Sequence, residues 1–179
     1  MTDQNKQIYT QLAREAIELY LKEKRVLELP SDLPEELTKT RKGVFVSLHK
    51  KSDHELRGCI GTFLPTKKDT AEGIVHNAIA AATEDPRFPP LTQEEILKIE
   101  ISVDVLSEPK VVTENMALDP KRHGLIVSTS DGRRGLLLPD LEGIDTVEEQ
   151  EKICRLKAGI EPNETITRHF FAVERYQES

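Results

Sequence analysis

Residues 43–63, GVFVSLHKKSDHELRGCIGTF, decide the fold. The run GVFVSLHK (43–50) is rich in β-branched and aromatic residues and predicts a strand. KKSDHE (50–55) turns the chain, and LRGCIGTF (56–63) returns as the second strand of a hairpin. That second strand is unusual. It carries a thiol, Cys59, with Gly58 and Gly61 around it and Arg57 two places before it. Glycine inside a strand costs stability and marks a bulge or a close backbone approach. Strand alternation puts Arg57, Cys59 and Gly61 on one face and Leu56, Gly58 and Ile60 on the other.

Working outward, KIEISVDVLS (98–107) alternates Ile99, Ile101, Val103 and Val105 against Glu100, Ser102 and Asp104, which predicts a half-buried strand. Upstream, DTAEGIVHNAIAAATE (69–84) has helical spacing, and its alanines predict close packing on a neighbour. DPRFPP (85–90) ends that helix, because the residue before Pro86 is pushed out of the helical region. Thr92 and Glu95 form a capping-box pattern that predicts a short helix over LTQEEILK.

Toward the termini, an amphipathic helix is predicted over about residues 5–24, and a long connection over 25–42 with Pro30 and Pro34. HGLIVSTS and RRGLLLP form a hairpin about Asp131-Gly132, the dipeptide of a type I′ turn. Thr146 and Glu149 open a further helix, Gly159 stops it, and TITRHFFAVERY closes the chain as a strand. Hairpin-paired strands interleaved with helices give an α+β class with a mainly antiparallel sheet. The expectation is a single domain over residues 1–179.

The formal net charge of −7 argues against nucleic acid as a partner. No apolar run approaches the length a membrane span requires, so no membrane partner is expected. The N-terminal stretch reads as a polar helix, and with only two cysteines the expectation is a cytoplasmic chain with reduced thiols. Neither C-x-x-C nor H-x-x-x-H spacing occurs, so no metal site is predicted, and no cofactor motif appears.

Three groups of residues carry possible chemistry. Arg57 and Cys59 lie about 6–7 Å apart along one strand face. A guanidinium near the thiol favours the thiolate that nucleophilic catalysis needs; alternatively Cys59 is a small packed residue and Arg57 pairs with a carboxylate. Asp85 and Arg87, between prolines, either hold an anionic substrate or pair to fix the loop, with Phe88 filling the core. His123, beside Gly124 at a strand entry, is a weaker acid–base candidate or a surface histidine. His49, His54, His76 and His169 show nothing that raises them further, and Cys154 reads as packing.

The ordered segments LRGCIGTF, DPRFPPL, KIEISVDVLS, HGLIV, GRRGLLLP and LKAGI resemble the AMMECR domain family, from about residue 6 to 176. LLPDLEGIDTVEEQ is most similar to its bacterial branch, the AmmeMemoRadiSam system protein A. The resemblance implies an α+β fold with a larger lobe from both chain ends, a smaller lobe and a cleft between them. It also implies a functional surface at the LRGCIG signature, and work alongside a Memo-like protein and a radical-SAM protein. Gly58 and Gly61 fall in that signature, Asp85 and Arg87 in the second motif, and His123 matches less firmly. The residues and the resemblance taken together leave two expected functions: thiol-dependent chemistry on a small anionic ligand, or non-enzymatic docking of a partner protein.

Overall fold

The computed structural model describes residues 3–113 and 116–178, with side chains from Gln7 onward. The chain divides into two units, residues 1–106 with 174–179, and residues 107–173. Each has an apolar core of its own.

In the first unit, α1 (Asp3–Glu23) buries Tyr9, Leu12, Ala13, Ala16, Ile17 and Leu21, the face its periodicity predicts. The stretch 25–42 is more than a connection. Pro34 leads into a one-turn helix, α2 (Glu35–Thr38), which buries Leu37 and places Glu35 and Glu36 in its first turn, where the helix dipole favours them. Strands β1 (Val44–Lys50) and β2 (Leu56–Thr62) form the expected antiparallel hairpin, with Ser47 opposite Cys59 and Phe45 opposite Gly61. The next helix, α3 (Thr70–Thr83), starts at Asp69, whose carboxylate accepts from the Glu72 N–H at 2.9 Å. Strand β3 (Ile99–Leu106) then pairs antiparallel with the other side of β1.

Alternation sorts this sheet into two faces. Val44, Val46 and Leu48 of β1, and Ile99, Ile101, Val103 and Val105 of β3, are buried in the core with α1 and α3. Each such aliphatic side chain contributes about 1.5–3 kcal/mol when taken out of water. The alanines of α3 do what their size predicts. They bring the helix so near β2 that a Cβ on Gly58 would lie 2.2 Å from the Ala81 carbonyl oxygen.

The segment LTQEEILK departs from expectation. Both capping-box hydrogen bonds form, Glu95 N–H to Thr92 Oγ1 at 3.3 Å and Thr92 N–H to Glu95 at 3.0 Å. Yet only a 3₁₀ turn, Ile96–Lys98, follows, because the chain must be extended again at Ile99 to enter β3.

The second unit contains β4 (Lys110–Val111), β5 (His123–Ser128), β6 (Arg134–Leu137), α4 (Val147–Ala158) and most of β7 (Thr167–Gln177). β5 pairs antiparallel with β6 and β7, and β4 with β7. The Thr146/Glu149 capping box is present in both directions, and Gly159 ends α4 at φ 61°. Cys154 packs with Leu125, Val127, Leu137 and Ile160. The β5–β6 hairpin is as expected, but its turn is not type I′. Gly132 has a positive φ of 92°, whereas Asp131 does not. The Gly132 N–H bonds to Thr129 C=O at 3.1 Å, so the loop is longer than two residues. The Asp131 carboxylate is held locally by the Thr129 hydroxyl and by Arg133 Nε.

The last residues of β7, from Glu174, belong to the first unit, where the strand order is β2-β1-β3-β7 and β2 is an edge. There the Tyr176 ring stacks on Tyr9, centroids 3.8 Å apart. The protein is an α+β chain in which the signature strand lies on a sheet edge. No helix among the described residues is long and apolar enough to cross a membrane.

Candidate functional site

In the signature strand β2, Ile60 and Gly58 pair with the core-facing Val46 and Leu48, and Cys59 and Gly61 pair with Ser47 and Phe45 on the opposite face. A bulge at Arg57 breaks the alternation: Leu56 pairs with His49, so the shared face expected for Arg57 and Cys59 does not form. Each glycine has a packing reason. Gly58 sits beneath the α3 backbone, and a Cβ on Gly61 would meet the Phe45 ring at 2.2 Å.

Arg57 keeps only 7% of its surface. Its guanidinium donates to both carboxylate oxygens of Glu95 at 3.2 and 3.3 Å and to the Pro89 C=O at 3.0 Å. It therefore ties the strand to the loop after α3 and to the 3₁₀ turn, and its charge faces Glu95. Asp85, also buried, accepts from the Cys59 N–H at 2.8 Å, from the Arg87 N–H at 3.0 Å, and from Arg87 Nε and Nη2 at 3.0 and 2.7 Å. Arg87 in turn reaches the Cys59 C=O at 3.4 Å. The DPRF loop thus closes the outer edge of β2 at Cys59, satisfying main-chain groups that an edge strand would leave free. Hydrogen bonding from the Arg87 guanidinium holds the Asp85 carboxyl well below the usual carboxylate range; the two N–H donors add to this and burial opposes it. Phe88 lies near both cations, 5.9 Å from the Arg57 guanidinium carbon and 5.5 Å from that of Arg87.

What remains of the motif is the Cys59 thiol. It is a free thiol, half-buried, and its sulfur accepts a hydrogen bond from the Ser47 hydroxyl at 3.2 Å. Around it the face carries Phe45 and His49 on β1, Glu100, Ser102 and Asp104 on β3, and Arg175 and Gln177 on β7. Among the described residues no helix of the first unit packs on this side, since α1 and α3 lie on the apolar one. Ser102 and Asp104 are nonetheless buried, against the half-buried pattern expected of β3. Asp104 makes a two-point bond with Arg175 at 2.7 and 2.9 Å, and Gln177 donates to Glu100 at 2.7 Å. Burial lowers the His49 pKa, an effect Glu100 partly offsets, so its imidazole is neutral at pH 7.

His49, Ser47, Ser102 and Asp104 were not singled out by motif. The signal available was positional: in an antiparallel hairpin, polar residues at every second place on GVFVSLHK share a face with the residue opposite them, here Ser47 with Cys59.

His123 belongs to the second unit. Its Nδ1 accepts from the Asp119 N–H at 3.1 Å, its ring meets Phe170 edge-on, and its C=O accepts from Gln150 at 3.0 Å. That nitrogen is committed to a local turn. Cys154 is fully buried, donates to Leu125 C=O at 3.4 Å, and burial pushes its thiol up to about 12. Among the described residues no group of three or more histidine, cysteine, aspartate or glutamate side chains could hold a metal ion.

Fold and site together define an α+β domain with an LRGCIG edge strand clamped by a DPRF loop. The AMMECR1 family model matches residues 10–179, and the chain belongs to that family. A protein of Thermotoga maritima is 52% identical over 170 residues, which cover 94% of this chain and 97% of that one. A protein of Clostridium acetobutylicum is 46% identical over 177 residues, 98% of this chain but 37% of the longer relative. The crystal structure of protein PH0010 from Pyrococcus horikoshii is similar over 100% of this chain and 94% of that one, with TM-score 0.88 and 34% identity.

Proposed function

We propose that this chain binds a small anionic molecule on the helix-free face of the sheet in its first unit, with Cys59 as the reacting group, and that it works in the cytoplasm beside a Memo-like protein and a radical-SAM protein. The observation that carries the reading is the state of Cys59. Its neighbours in the signature are engaged in packing or in fixing the loop, whereas its side chain is half-exposed with a hydroxyl donor on the sulfur. Partial exposure leaves the sulfur within reach of a small molecule, as a nucleophile must be. His49 lies on the same face, roughly 7 Å along β1 from Ser47, and is the neutral base available there.

The test is alkylation of the native protein with iodoacetamide near pH 7.5. Cys59 is expected to be labelled while Cys154, buried and with a raised pKa, reacts only after unfolding. A Cys59 that resists until the chain is unfolded rules out the thiol reading.

The second reading, a docking surface without chemistry, is supported by the Clostridium relative, in which the matched region is 37% of a longer chain. Co-purification with the Memo-like and radical-SAM proteins that is unchanged in Cys59→Ala, with full function retained, would favour docking. Arg57 is unsuitable as a surface probe, because the buried guanidinium holds Glu95 and the Pro89 loop.

A further inference from the structure

At the turn end of the β1–β2 hairpin a cavity of about 540 Å³ opens between that turn and the 3₁₀ turn preceding β3. Lys50, Lys51, Lys98 and Arg57 line it, against one carboxylate, Glu95. In a chain of net charge −7 such a local excess of cations is notable. We propose that this cavity binds the phosphate group of a small phosphorylated molecule.

The cations are arranged rather than merely near one another. Lys51 is fixed at both ends: its N–H bonds to the Lys98 C=O at 2.9 Å and its Nζ to the Leu97 C=O at 3.2 Å. An ammonium already held in place loses less side-chain entropy on meeting an anion. Arg57 is buried and held by Glu95 and Pro89, which together engage three of its five N–H groups among the described residues. Lys50 bonds to Glu55 at 2.8 Å, but that carboxylate is largely exposed and exchanges easily for a stronger anion. Lys98 is exposed on the rim.

The cationic excess over Glu95 suits a dianion better than a single carboxylate; the lysine ammonium groups supply the point charges that phosphate oxygens take, and the engaged Arg57 adds background positive charge. Leu97, 72% exposed, gives an apolar wall at the same opening. A ligand with a phosphate and a short apolar part fits both features, and the volume is in the range of small-molecule sites. Asp53 and Glu55 in the hairpin turn limit the affinity for anions and favour ligands with concentrated charge.

The probe is inorganic pyrophosphate titrated into the ¹⁵N-labelled full chain at low ionic strength, where surface charges are least screened. Saturable shifts are expected in the amides of residues 50–52 and 97–99. Lys98→Glu, at an exposed position, should weaken binding by about tenfold or more, and Lys51→Ala combined with it should abolish saturation. Shifts that grow linearly, spread over the whole chain, or persist unchanged in Lys98→Glu overturn the proposal. Cys59→Ala should bind pyrophosphate as the unaltered chain does, so this site and the thiol reading stand or fall separately.

Discussion

Replacing Gly58 by valine is expected to lower stability by at least about 3 kcal/mol, at the upper end of overpacking effects. For a chain of this size that moves the thermal midpoint down by roughly 6–12 °C. The cause is the Ala81 carbonyl oxygen, which would lie 2.2 Å from a Cβ at this position. A flexible side chain could rotate away; a helix backbone cannot, so α3 must shift off the sheet and loosen the packing of Leu48, Ile74 and Ala78. Gly73→Ala in the same helix provides the opposite control. A Cβ there meets only Val44 at 3.7 Å, an ordinary contact, and alanine gains about 0.5–1 kcal/mol over glycine in a helix. Calorimetry on the two variants decides the matter. A Gly58→Val midpoint within 2–3 °C of the parent would mean that the glycine is not required by packing.

Asp85→Ala is expected to cost about 2–4 kcal/mol at pH 7. It leaves the Cys59 N–H without its acceptor, and a lost partner of this kind costs about 1–3 kcal/mol. The ion pair with Arg87 adds less than a buried pair would, because Arg87 is half-exposed and screened. Release of the DPRF loop also loosens the contacts of Phe88 with the two guanidinium groups.

The pH dependence has a definite sign. The native Asp85 carboxyl ionises well below its unfolded value, so the unfolded chain takes up this proton first as pH falls. The stabilisation is complete above the ordinary carboxylate range and declines below about pH 4. The difference in urea stability between parent and Asp85→Ala should therefore be flat from pH 5 to 8 and shrink at pH 3. An equal difference at pH 3 and 7 would exclude an ionised Asp85 as its source.

These two expectations separate roles that the LRGCIG and DPRF motifs combine. The spacing on β2 predicted that Arg57 and Cys59 share a face, which the bulge at Arg57 overturns, whereas the Asp85–Arg87 pair was legible as two opposite charges two residues apart. Neither revealed where the guanidinium groups go. Arg57 reaches Glu95, 38 residues on, and Asp85 accepts from a main-chain N–H 26 residues earlier. Such contacts depend on how α3 returns the chain to the edge of β2.

The same limit applies to β3. Its alternation was clear, and so was the identity of its polar side. The burial of Asp104 was not, because it depends on Arg175, 71 residues away on β7. Local turn chemistry failed more modestly. Asp131-Gly132 marked a turn correctly, but the Asp131 carboxylate also holds Thr129 and Arg133, and only Gly132 takes the positive φ.

The sequence by itself determined the hairpin, the alternating β3, the amphipathic α1, the alanine-rich α3 and the capped α4. Each of these follows from periodicity or from a side chain bonding its own helix end, interactions that span only a few residues. Tertiary structure alone decided that the two signature glycines serve packing, that Asp85 and Arg87 close a strand edge, and that the Cys59 sulfur lies under the Ser47 hydroxyl. Those outcomes require the approach of segments distant in the chain, and no local pattern encodes which groups will then lie within hydrogen-bonding distance.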